Sequence, residues 1–321
     1  MITSVIDVER WELIEPFTIA RGTMTALPVI VVTLTDRAGH VGRAEAAGVD
    51  YDGETPAMLV AQVEAALPAL RDAMGDDLVT ASTLATLQTL MPPGGARNAL
   101  DCALWDLRAK QSGIPAWQAA GLPPLRALTT VYTLGLGSED DTRRKARDAR
   151  HYPLLKLKCD AERHVDVVRW VREEHPQARI AVDANQSWTR ELLERLLPSL
   201  AALGVEMVEQ PVRRGEDAQL AGLRSVLPLA ADESCTDRAS LATLSAYYQY
   251  ININWTSAVG SRRPWRWATR RLRWACNSWW ATCAARRWGW RRHSWWDNGA
   301  ATWIWMGRCC RRRIVRTPWC V

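Results

Sequence analysis

Residues 154–158 read Leu154-Leu155-Lys156-Leu157-Lys158, and residues 179–185 read Arg179-Ile180-Ala181-Val182-Asp183-Ala184-Asn185. Residues 205–211 read Val205-Glu206-Met207-Val208-Glu209-Gln210-Pro211, and residues 229–234 read Leu229-Ala230-Ala231-Asp232-Glu233-Ser234. Each is a short apolar run that ends in charge. Between them, 162–174 and 189–203 carry helical periodicity. Upstream, a strand over 130–135 precedes a helix over 139–151; downstream, 250–253 is a sixth strand. Apolar strands alternating with helices at this spacing predict parallel βα units. Six strands are visible, and an eightfold barrel needs two more.

Working outward, residues 28–35 are a β-branched strand, 37–40 a turn and 41–46 the return strand. Residues 55–74 and 95–112 have helical periodicity, with Ala99, Cys102, Ala103, Trp105, Asp106 and Leu107 keeping an apolar stripe in the second. The expected organisation is a small α+β domain over 1–115, a TIM-type (β/α) barrel over 116–254 holding strands one to six, and a tail over 255–321. Met1 to Thr18 shows no signal-type apolar core, and the sequence holds no apolar run long enough to span a membrane. With Cys102, Cys159 and Cys235 scattered, a reducing, cytoplasmic location is expected.

The tail is written in a different composition. It holds thirteen of the 18 Trp and five of the eight Cys, with fifteen Arg, no Lys or Glu, and one acid, Asp297. Its charge is therefore +14, and the remainder of the chain carries −8, so the basic pI near 9.0 belongs to the tail alone. Its six Leu, Ile and Val residues are too few to bury a core. In a GC-rich gene a shifted reading frame turns Leu, Ala and Gly codons into Trp, Arg and Cys codons. Restoring one base before Asn254-Trp255-Thr256 permits Lys-Leu-Asp, and the same frame at Thr302 to Gly307 permits Asp-Leu-Asp-Gly. The expectation is a single-base deletion at codon 254 and a disordered tail. The rival is a genuine Arg/Trp-rich segment that grips single-stranded nucleic acid or a membrane surface. The expected balance for the whole protein is neither nucleic acid nor membrane as partner.

Chemistry in such barrels sits at the C-terminal ends of the strands. Those ends supply Lys156 and Lys158, then Asp183, Glu209 and Asp232, and finally Asn254. Taken singly, the Asp residues could be helix N-caps, the Lys-x-Lys a solvated pair and Glu209 a loop residue. Jointly, three carboxylates on three successive strands can converge on one hard cation, and oxygen-only ligation suits Mg²⁺. Lys156 and Lys158, two residues apart, face the same way. Two cations beside a metal are expected to have depressed pKa values and to serve as bases.

These residues resemble the muconate-lactonising branch of the enolase superfamily. The matching segments are Lys156-Leu157-Lys158, Asp183-Ala184-Asn185-Gln186, Val208-Glu209-Gln210-Pro211 and Ala231-Asp232-Glu233-Ser234. Ala96 to Asp101 and Ala103 to Asp106 are similar to its pre-barrel helix. Phe17 to Gly22 and Tyr51 to Thr55 are similar to its capping-domain loops. The resemblance implies Mg²⁺ on Asp183, Glu209 and Asp232, and α-proton transfer by Lys158. It also implies substrate contacts from Lys156, Thr133 and Arg21. The family's second acid/base lysine falls at Asn254, where this chain lacks it. Within the branch, the Asp-Leu-Asp-Gly of the alternative frame favours a dipeptide epimerase. The alternatives are o-succinylbenzoate synthase, N-acylamino acid racemase and muconate cycloisomerase. A small dipeptide is thus the expected partner, a homo-oligomer is the expected assembly for an intact family member, and the chain as written is expected to be inactive.

Overall fold

The computed structural model describes residues 2–48, 52–121, 129–236 and 239–252, and the backbone alone of residues 277–282 and 303–305. The first unit is a three-stranded antiparallel sheet in the order β1-β2-β3, with β1 (Thr3–Ile19), β2 (Gly22–Thr35) and β3 (Val41–Ala46). β1 and β2 pair from Thr3 opposite Thr35 to Ile19 opposite Gly22, with a register irregularity between Glu12 and Phe17. The turn at 20–21 therefore lies at the far end of a long ribbon.

Helices α1 (Pro56–Met74), α2 (Ala81–Leu90), α3 (Gly95–Ser112) and α4 (Ala116–Ala119) cover this sheet. Thr55 caps α1 by accepting the Met58 N–H, and Pro56 sits in the first turn, where its missing donor costs nothing. The core joins Ile30, Val32 and Leu34 to Leu59, Val63, Leu70, Leu84, Leu87, Leu100, Leu104 and Leu107. α3 lies so close on β3 that a Cβ at Gly42 would collide with the Ala103 carbonyl.

The second unit is built of βα repeats. Its strands are β4 (Tyr132–Leu134), β5 (Leu154–Lys158), β6 (Arg179–Asp183), β7 (Val205–Glu209), β8 (Leu229–Ala231) and β9 (Tyr250–Asn252). Helices α5 (Glu139–Asp148), α6 (Val165–Glu174), α7 (Arg190–Ala202) and α8 (Ser240–Leu244) alternate with them, and a short 3₁₀ helix, Asp217–Leu220, follows β7. Adjacent strands are parallel. Side chains alternate across the sheet. Leu155, Leu157, Ile180, Val182 and Val208 pack against Val168, Val171, Leu193 and Leu200 of the helices. Val131, Leu154, Ala181, Met207 and Ala230 form a separate small cluster on the opposite, inner face.

Sequence patterning expected the strands to stop at the sixth. The backbone adds two short strands, β10 (Asn277–Thr282) and β11 (Trp303–Trp305), which extend the sheet to the order β11-β10-β9-β8-β7-β6-β5-β4. Both are parallel to their neighbours. Asn-Ser-Trp-Trp-Ala-Thr and Trp-Ile-Trp hold aromatic and β-branched residues, which favour extended backbone even without an apolar period. The remainder of 253–321, including the segments that would connect these strands, lies outside the described residues. So do the expected disorder of the tail and its rival reading as a nucleic-acid or membrane segment. Among the described residues, no helix is long and apolar enough to cross a membrane.

Candidate active site

The inner face of the sheet changes from apolar to ionic at one level. Two residues beyond Leu154 on β5 comes Lys156, and two beyond that Lys158; two beyond Ala181 on β6 comes Asp183; two beyond Met207 on β7 comes Glu209. Register puts Lys158 beside Asp183 and Asp183 beside Glu209. Lys156 and Asp183 are fully buried, as is Glu209, and Lys158 is 4% exposed. A solvated Lys-x-Lys is therefore excluded. Asp183 caps no helix, since α7 is capped by Thr189.

The charges meet directly. Lys156 Nζ stands 2.6 Å from Glu209 Oε1 and 2.8 Å from Asp183 Oδ2. Lys158 Nζ stands 2.6 Å from the same Asp183 oxygen. The Asn185 backbone N–H donates to Asp183 Oδ1 at 2.9 Å, and Asn252 Nδ2 donates to Glu209 Oε1 at 2.9 Å. Asn185 reaches this position with a φ of 44°, a left-handed conformation that Asn tolerates better than most residues.

Two ammonium groups face three carboxylates, which leaves one negative charge uncompensated. Burial alone would raise Asp183, but the Lys156 and Lys158 charges outweigh it and hold that carboxyl well below the usual range. Burial alone would lower Lys156; the Asp183, Glu209 and Asp232 charges outweigh it and push the amine up. The depressed pKa expected for this lysine from the sequence is thereby reversed, because carboxylates are its nearest neighbours. The surplus charge falls on the other two acids. Burial pushes Glu209 up, and burial with the Glu233 and Glu209 charges pushes Asp232 well above its ordinary value.

Asp232 follows β8 directly. The residue is half-buried, but its Oδ1 is closed off from solvent and has no hydrogen-bond partner; Glu209 Oε2, Glu233 Oε2 and Asn185 Oδ1 are in the same condition. These are acceptors without donors. Together with the uncompensated charge, they fit a hard divalent cation in chemistry. Among the described residues, no three Asp, Glu, His or Cys side chains stand together as a ready-made metal cluster. Lys156 Nζ stands between Asp183 and Glu209 instead.

Arg21, at the ribbon turn between β1 and β2, reaches the mouth of the second unit. Its Nη1 lies 3.0 Å from Glu233 Oε1, and that oxygen also accepts from Asn185 Nδ2 at 3.3 Å. Thr133 pairs in register with Lys156, and its buried Oγ1 has no hydrogen-bond partner. Thr133 also borders a cavity of about 190 Å³ lined by Phe17, Arg144 and Lys145, which none of the clustered lysines and carboxylates lines. Asn254 lies outside the described residues. The structure thus gathers Lys156, Lys158, Asp183 and Glu209, with Asp232 following on the next strand and Arg21 tied to that strand's end. Sequence reasoning gave no part to Asn252, Asn185 or Glu233. Asn252 was findable from strand alternation, and the other two stood inside recognised segments.

Two family descriptions match the chain: "Mandelate racemase / muconate lactonizing enzyme, N-terminal domain" over residues 1–121 and "Enolase C-terminal domain-like" over residues 141–263. The L-Ala-D/L-Glu epimerase of Escherichia coli (strain K12) is 35% identical over 255 residues, covering 79% of this chain and 77% of that protein. An enolase family member from Agrobacterium tumefaciens with homology to dipeptide epimerases, solved with bound sodium and L-Ala-L-Glu, superposes with a TM-score of 0.87 at 30% identity. That match covers 95% of this chain and 90% of the other. A dipeptide epimerase from Cytophaga hutchinsonii, complexed with Mg and D-Ala-L-Val, shares the fold with a TM-score of 0.84 at 20% identity, over 95% of this chain and 86% of that one. The chain belongs to the enolase superfamily, and its relatives there include dipeptide epimerases.

Proposed function

We propose that this chain carries the first-face half of a dipeptide epimerase. The observation that carries the reading is the buried convergence of Lys156 and Lys158 with Asp183 and Glu209, beside partnerless carboxylate oxygens on Glu209 and Asp232. Asp183, Glu209 and Asp232 would hold Mg²⁺, which when bound would stabilise negative charge on a substrate carboxylate. Lys158, at the outer end of β5, takes the α-proton of the C-terminal residue, and the C–H electron pair moves into the carboxylate to give an enediolate. Lys156 holds the substrate carboxylate by charge and keeps Lys158 apart from Glu209. Thr133 and Arg21 contact the rest of the dipeptide; Arg21 suits an acidic side chain, because it already binds Glu233. Return of the proton on the opposite face needs a second acid, and the Asn254 amide is none. The chain as written then exchanges without inverting. A cytoplasmic location and a homo-oligomeric assembly belong to the same reading.

The test has two arms. Calorimetric titration of Mg²⁺ should show binding by the wild type and none by Asp183→Asn or Asp232→Asn. Variants that bind Mg²⁺ as tightly as the wild type would overturn the assignment of these carboxylates as metal ligands. The second arm incubates L-Ala-L-Glu and L-Ala-D-Glu in D₂O. No α-exchange in either, together with dehydration of a succinylbenzoate precursor, would replace the epimerase reading by a lyase.

A further inference from the structure

Behind Asp232 lies a buried hydrogen-bond network that no recognised motif contains as a whole. Gln210, directly after β7, is fully buried and has a φ of 32°. Its Oε1 accepts the Asp232 N–H at 2.8 Å and the Ser234 N–H at 3.1 Å. The two N–H groups of its Nε2 serve Val212 O at 3.0 Å, Ser234 Oγ at 2.9 Å and, by sharing one of them, Tyr248 Oη at 3.3 Å. Ser234 Oγ and Tyr248 Oη both donate to Asp217 Oδ1, at 2.7 and 2.6 Å. Asp217 Oδ2 accepts the Gly215 N–H at 3.3 Å. Tyr248 is 1% exposed and Asp217 9%.

The direction of every bond follows from the carboxylate. An ionised Asp accepts only, so both hydroxyls must give it their protons. Each hydroxyl then turns a lone pair to the Gln210 amide, which must present its NH₂ to them. That fixes the other side of the amide: Oε1 faces the strand-end backbone and takes the N–H of Asp232 and of Ser234. Burial, and after it the hydrogen bond to Asp217, push the Tyr248 phenol well up, so it stays a donor.

We propose that Asp217, acting through Tyr248, Ser234 and Gln210, is a positioning residue that holds the Asp232 carboxylate at the strand-end cluster. This rests on the reading of Asp232 as a metal ligand. Asp217 comes from the 3₁₀ helix after β7 and Tyr248 from the residues before β9, so the ends of β7 and β8 and the entry to β9 are tied to one carboxylate. Groups behind metal ligands commonly carry a 10–100-fold share of metal affinity.

The experiment uses the full chain with Asp217→Ala, Asp217→Asn and Tyr248→Phe. Mg²⁺ affinity is measured by calorimetry, and backbone amide exchange is measured on the metal-free chain. Asp217→Ala should bind Mg²⁺ about 10–100-fold more weakly. Asp217→Asn keeps an acceptor oxygen for both hydroxyls and should recover most of that loss. Tyr248→Phe removes one oxygen and leaves the packing intact, so it carries the test if Asp217→Ala fails to fold; its expected loss is about tenfold. In the weakened variants, exchange should accelerate at Asp232 and Ser234 but not at Leu157 or Val182, which separates loss of positioning from general destabilisation. Variants that bind as tightly as the wild type, with unchanged exchange at Asp232, overturn the positioning role alone. A wild type that takes up no Mg²⁺ overturns the metal reading and this proposal with it.

Discussion

At the scale of single residues, the site is decided by which charges are matched. Asp183 has two ammonium groups within 2.8 Å, while Asp232 Oδ1 has no hydrogen-bond partner. The consequence for pH runs in a definite direction. Because the Asp232 carboxyl is raised in the folded chain, the folded state keeps a proton that the unfolded state releases above about pH 4. Its contribution to stability is therefore full below that pH and is lost as pH rises towards the folded value. Asp232→Asn carries no such proton. In chelator, its thermal midpoint should gain on the wild type between pH 5 and pH 8, and with excess Mg²⁺ the order should reverse, because only the wild type binds. An equal offset at both pH values in chelator would contradict this assignment. The lysines and acids of this cluster were legible from strand-end position alone. Gln210, Asp217 and Tyr248 were not read together, because hydrogen bonds spanning up to 38 positions leave no spacing signal in one sequence.

At the scale of elements, the alternating pattern located β5, β6 and β7 to the residue, since continuous apolar runs bounded by helices have few alternative readings. The 17-residue β1 was missed as a strand: its largely exposed mixture of charged and apolar residues lacks the β-branched density of β2. α2 and α8 were missed because they are short and carry little charge asymmetry. Turns between βα units are held by side chains as well as by backbone. Arg172, at the end of α6, donates to the carbonyls of Leu203, Pro176, Ala178 and Gly204, at 3.0, 2.9, 2.6 and 3.2 Å. One guanidinium thus closes the loops before β6 and β7. Arg172→Met should cost about 2–3 kcal/mol, the usual range for charged hydrogen bonds lost to partly buried acceptors, and denaturant unfolding measures it. A change under 0.5 kcal/mol would mean that water replaces the guanidinium without penalty.

At the scale of the whole molecule, the chain divides by composition at residue 254, and the family matches end close by, at residue 263. The sequence made both units legible, while the extended backbone at 277–282 and 303–305 left no signal in it, because a test for apolar periodicity is blind to short Trp-rich segments. Catalytic inversion belongs to this scale, since it needs groups on both faces of the substrate and hence both halves of a barrel. The chain as written should exchange the α-proton of one dipeptide epimer and leave the other untouched. A gene with one base restored at codon 254 should invert it. NMR in D₂O distinguishes the two, and inversion by the chain as written would refute both the lost lysine and the frame assignment.

Lys156 has a further consequence, for the order of events in the life of the protein. Small zinc domains cannot fold until their ion arrives, because nothing else neutralises the ligands. Here the polypeptide supplies its own counter-ion, an ammonium seated between Asp183 and Glu209. With Asp183 and Glu209 as the proposed metal ligands, assembly of the sheet would not wait on the supply of metal, and a newly made chain would mature first and be loaded later.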